Sequence, residues 1–169
     1  MLAVLTILLA SGAAALPQNA ELASLYEATC LRHEPPGVAF QPVNADDIPG
    51  DVTHAYIGPQ QGNYWRRPAP NAAFVAHTRG PGHWGGIEEY CTVGLAGANF
   101  ESLATTFADQ LGDRDASRGG RLQTQQLYGM TRIVIHGTDR VNFVVVTQRP
   151  NDWVSLMTGG NVAAAPVQR

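Results

Sequence analysis

The stretch Thr78-Arg79-Gly80-Pro81-Gly82-His83-Trp84-Gly85-Gly86 gathers one guanidinium, one imidazole and one indole among four glycines. Glycine at that density adds backbone freedom and no core contacts, whereas a chain that merely had to reverse could do so with two residues. A loop presenting Trp84 as an aromatic anchor, with Arg79 and His83 as polar contacts, fits recognition of a partner surface. The competing role for Trp84 is a lid folded back onto the core. The glycines do not make a phosphate cradle, because a strand pattern follows them and a cradle feeds a helix N-terminus.

Other reactive side chains form weaker constellations. His54, His77, His83 and His136 fall in or beside candidate strands, and Glu88 or Glu89 could complete a metal site drawn from several strands. No H-x-H or H-E-x-x-H spacing accompanies them, so no metal is expected. Residues 113–119 alternate oxygens as a calcium loop does, but Arg118 takes the position that wants glycine and Thr124 that of the bidentate glutamate; an exposed loop with a local ion pair is expected. Tyr64, Trp65, Trp84 and Trp153 could stack on a flat ligand, although Tyr64-Trp65 beside Arg66-Arg67 reads first as a partly buried edge strand.

Catalysis finds little to work with. Ser11, Ser24, Ser102, Ser117 and Ser155 are the serines, and none sits in a G-x-S-x-G or S-x-x-K context. Adjacent carboxylates in a strand point to opposite faces, so Glu88 and Glu89 cannot act as an acid/base pair. The chain has no lysine, which removes P-loop, Schiff-base and serine-lysine chemistry, and no cofactor is expected. The enzyme alternative is a small hydrolase or metal-dependent enzyme using His77, His83 and a nearby carboxylate.

A formal net charge of -3, 44% hydrophobic residues and 15% charged residues are those of an ordinary globular protein. The basic residues are all arginine and stand singly except for Arg66-Arg67, so no stripe tracks a nucleic-acid backbone. Met1 to Ala15 pairs an apolar stretch, Leu2 to Leu9, with small residues ending in Ala13-x-Ala15, the pattern of a cleavable signal peptide. It is shorter than the roughly 20 apolar residues a membrane span needs, so no stable insertion is expected after cleavage. Residues 1–15 are thus expected as the signal peptide, 16–158 as one domain and 159–169 as a flexible tail.

The elements that must hold these residues begin with a helix. Asn19 is its expected cap, Leu22, Leu25, Tyr26, Thr29 and Cys30 follow helical spacing, and Pro35-Pro36-Gly37 is the expected stop. Glu34 to about Gly50 reads as an irregular surface connection. Strands are expected at Thr53 to Ile57, Asn63 to Arg66, Ala72 to Thr78 and Ile87 to Leu95, the last alternating cleanly with Cys91 on its more apolar side. A second helix opens at the cap Asn99, carries Phe100, Leu103, Ala104, Phe107 and Leu111 on one stripe, and ends at Gly112. Strands follow at Arg121 to Tyr128, Met130 to His136 and Val141 to Gln148, the last two as a hairpin apolar on both sides that should occupy the sheet centre. No internal repeat is visible.

Cys30 on a helix face and Cys91 on a strand face lie where a helix packs on a sheet, which predicts a disulfide between the only two cysteines. Closing a loop of about 60 residues is worth about 4 kcal/mol in the chain-entropy picture. The expected fold is therefore α+β, a single antiparallel sheet with two helices packed on one face, stapled by Cys30–Cys91. The expected function is that of a periplasmic or secreted interaction module contacting, through Arg79, His83 and Trp84, another envelope or extracellular protein, with a glycan as the lesser alternative and nucleic acid excluded.

Overall fold

Proline suits the first position of a helix, since its missing N–H would be unpaired there and its φ is preset. The chain uses it so: in a computed structural model that describes residues 17–49, 61–81, 86–106, 121–127, 130–136, 143–149 and 151–162, helix α1 spans Pro17–Tyr26. Asn19 is not its cap; it lies inside α1, buried, and its amide reaches the backbone of Asn99. The helix then widens into a π turn over Glu27–Leu31. Arg32 N–H donates to the Glu27 carbonyl at 3.0 Å and Glu34 N–H to the Ala28 carbonyl at 2.9 Å. His33, in the left-handed region at φ 56°, follows the turn, so helical structure ends before Pro35 rather than at the Pro-Pro-Gly stop. Leu22, Tyr26, Thr29 and Cys30 are all buried.

The stretch read as irregular holds a short strand, β1 (Gln41–Val43), and a 3-10 turn over Ala45–Asp47. The candidate strand at 53–57 lies outside the described residues. Then come β2 (Gln61–Arg67), β3 (Ala73–Pro81) and β4 (Ile87–Ala96). Helix α2 occupies residues 100–106, and Asn99 caps it as expected, its Oδ1 accepting from Ser102 N–H at 2.8 Å. Phe100, Leu103 and Ala104 are buried; Phe107, Leu111 and Gly112 lie outside the described residues. The remaining strands are β5 (Arg121–Leu127), β6 (Met130–His136), β7 (Phe143–Arg149) and β8 (Trp153–Val162).

The eight strands of the described residues form one sheet in the order β1-β2-β3-β4-β8-β7-β6-β5, with antiparallel neighbours throughout. The order is that of two four-strand meanders, each preceded by a helix and joined through β4 and β8. The centre is therefore β4–β8, not the β6–β7 hairpin, and β8 is a strand that the sequence pattern does not announce. Pairing continues to Val162, past Gly159 where that pattern fades.

Residues of both helices, Leu22, Tyr26, Cys30, Phe100 and Leu103, share one core cluster with Val75, Val93, Val146, Val154 and Leu156 of the sheet. Cys30 and Cys91 are joined as expected, with Cα atoms 5.4 Å apart. The opposite sheet face carries a smaller cluster of Ile48, Phe74 and Trp153. Arg149 is also buried, its guanidinium over the Phe74 ring and its Nε–H donated to the Ser155 hydroxyl at 2.8 Å.

Candidate functional site at the end of the β3–β4 hairpin

Strands β3 and β4 stay paired to Pro81↔Ile87, two residues beyond the Arg79↔Glu89 pair. Thr78, Arg79, Gly80 and Pro81 are thus strand rather than loop, and the connection expected from Thr78 to Gly86 contracts to residues 82–86. Gly86 sits at φ 92°, a conformation that side chains rarely adopt, and nothing lies within 4 Å of where its Cβ would be. His83 and Trp84 lie outside the described residues.

Strand alternation sorts this end of the hairpin into two unlike faces. Val75, His77 and Arg79 on β3 point to the disulfide side with Val93, Cys91, Glu89 and Ile87 on β4. Core packing on this side ends near Cys91. Beyond it Arg79 and Glu89 are about half exposed and paired across the strands, Nη1 to Oε1 at 3.2 Å. Ile87 is 38% exposed, one of two large hydrophobic side chains so open among the described residues. On the other face Thr78, Gly80 and Glu88 are buried, and the Tyr90 hydroxyl donates to the Glu88 carboxylate. Gly159 of β8 makes close packing possible here, since a Cβ on it would stand 2.2 Å from the Glu89 carbonyl oxygen.

This sorting limits which carboxylate could serve the catalytic alternative, whose His83 lies outside the described residues. Glu88 and His77 project from opposite faces, as adjacency of Glu88 to Glu89 requires, and Glu89 is held by Arg79. Among the described residues no three His, Cys, Asp or Glu side chains are grouped to hold a metal. His54 lies outside those residues. A shared aromatic platform is absent among Tyr64, Trp65 and Trp153: Tyr64 and Trp153 belong to the opposite-face cluster, whereas Trp65 packs on the disulfide side. Tyr26 is no acid/base group either, because burial pushes its hydroxyl up to about 12 despite a hydrogen bond with Thr158.

His77 has a defined setting that sequence spacing does not reveal. Its ring meets Trp65 edge-on, centroids 5.5 Å apart, and stands opposite Cys91 in the ladder. Burial holds the imidazole below the usual histidine range, the nearby His33 pushes the same way, and a hydrogen bond to the Thr29 backbone works against both.

A pocket of about 320 Å³ lies at the far end of β8, lined by Gly97, Ala98, Gln148, Asp152, Trp153 and Val154. Asp152 is the one titratable group among these described lining residues. No protein-family model, curated protein or solved structure matches the chain.

Proposed function

We propose that the chain is an exported, disulfide-stapled interaction module whose contact surface is the outer end of the β3–β4 hairpin, with Arg79, His83 and Trp84 as contacts. The observation that carries this reading is the exposure of Ile87 beside the Arg79–Glu89 pair, on strands that remain paired to their ends. An apolar side chain ringed by a guanidinium and a carboxylate can be desolvated by a partner without leaving either charge alone. Trp84, at the centre of the connection, adds the large amphipathic ring that such contacts favour.

Export rests on the leader Met1 to Ala15 and on the disulfide, which persists in oxidising compartments. Among the described residues no helix is long and apolar enough to cross a membrane. In this reading one domain runs from residue 16 through the end of β8 at Val162, past the boundary at 158 that the sequence pattern set, with two helices layered on one sheet face, and the partner is another periplasmic or extracellular protein.

Trp84→Ala tests the reading. It is expected to abolish partner retention in an envelope extract while changing folding stability by no more than about 0.5 kcal/mol, as an exposed anchor does. A loss of about 3–5 kcal/mol would make Trp84 a core lid and remove it from the contact surface.

A further inference from the structure

The clearest unused group in the molecule is the His77 imidazole. It is half-buried, and its Nε2 is out of solvent contact with no hydrogen-bond partner. Two unlike bodies enclose the ring. On one side is the sheet: Asn63 of β2 and Cys91 of β4 face His77 across ladder pairs, and Trp65 lies edge-on to it. On the other is the π turn and its exit, residues 27–34, which offers the Thr29 backbone and His33.

We propose that His77 is a pH-sensitive latch: neutral, it seats the turn 27–34 on β3, and protonated, it releases that turn around the Cys30–Cys91 tether. The neutral ring needs one acceptor, which the Thr29 backbone offers, and leaves Nε2 an unpaired acceptor, a smaller cost than an unpaired charged donor. The imidazolium carries a second N–H that needs an acceptor.

The surrounding charges do not supply one. Glu34 is paired with Arg32 at 3.2 Å, Glu89 with Arg79 at 3.2 Å, and Arg67, further along the same face of β2, with Glu21. His33, at the turn's exit, acts on the ring with like charge. With these carboxylates engaged, the added proton is stabilised by reaching water or the exposed Asn63 on the solvent side, and the softer wall yields. β3 is bonded on both edges, whereas the turn's exit is closed by two wide backbone bonds, from Arg32 to Glu27 and from Glu34 to Ala28. Cys30 lies inside the turn and limits how far it can move.

Hydrogen exchange at the Arg32 and Glu34 amides, corrected for intrinsic rates, reads the latch directly at about pH 7.5 and about pH 5. The wild-type protein should lose protection at these two amides by about tenfold on acidification, while β3 and β4 amides stay protected. His77→Gln keeps a donor toward Thr29 and cannot charge, so it should stay protected at both values. His33→Gln should keep the response with its midpoint moved to higher pH. Equal losses in wild type and His77→Gln would overturn the proposal, as would unchanged wild-type protection through a pH range in which the His77 ring protons are seen to titrate. A His77→Gln protein already unprotected at the higher pH would show that ring packing alone seats the turn, and would overturn it too.

Discussion

His77 makes folding stability depend on pH in a defined direction. Its folded-state affinity for a proton is below the ordinary histidine value of 6.5, so the unfolded chain binds the proton more readily. Its contribution is therefore complete above about pH 6.5 and is lost as the pH falls below it. Urea denaturation at successive pH values should show the midpoint dropping through that window in the wild type, and a shallower drop in His77→Gln. Gly159 offers a second test at this scale. A methyl group there would stand 2.2 Å from a backbone oxygen of β4, so Gly159→Ala should cost about 1–3 kcal/mol in thermal or chemical denaturation. The pairing of Cys30 with Cys91 is legible in the sequence, because residue type and the two buried faces mark it. The sequence hides the Arg79–Glu89 pair and the exposure of Ile87, which depend on how far the β3–β4 ladder runs.

At the scale of elements, one amide couples the two helices. Asn19 Oδ1 accepts from Asn99 N–H at 2.7 Å, and its Nδ2 donates to the Asn99 carbonyl at 3.4 Å. Asn99 in turn caps α2 through Ser102, so a single buried side chain of α1 positions the start of α2. Asn19→Ala should cost about 1–2 kcal/mol and increase exchange at the Ser102 and Leu103 amides.

The same scale explains which strands are legible. β4 alternates along its length because its two faces meet different surroundings, Cys91, Val93 and Leu95 on one side and Glu88, Tyr90 and Thr92 on the other. β8 is central, and Trp153, Val154, Ser155 and Leu156 are buried in succession on both faces. That removes the period-2 signal. Its continuation through Gly159 and Gly160 looks like a turn, yet both stay paired with β4 and Gly159 serves close approach to it. The π turn is equally silent in sequence, since its spacing of Tyr26, Thr29 and Cys30 also satisfies an ordinary helix.

At the scale of the whole molecule, the disulfide ties the first helical segment to a central strand across a sequence separation of 61. Replacing both cysteines should lower stability by about 2–5 kcal/mol, measured by denaturant unfolding, and should loosen the π turn before the sheet. The two linked meanders place the hairpin end and the β7–β8 turn at opposite ends of the sheet, since β8 pairs Trp153 with Ala96 and Val162 with Ile87. The claim that the hairpin end is the contact surface can be put to one direct measurement. A photo-cross-linking amino acid is placed at position 87, and in a control protein at Val38, which is fully exposed but remote from the hairpin in sequence and carries no companion charge pair. Irradiation with an envelope or extracellular fraction should yield a discrete covalent adduct from position 87 that disappears in a Trp84→Ala background, with none from position 38. Adducts that are the same from both positions, or that persist without Trp84, would contradict the account.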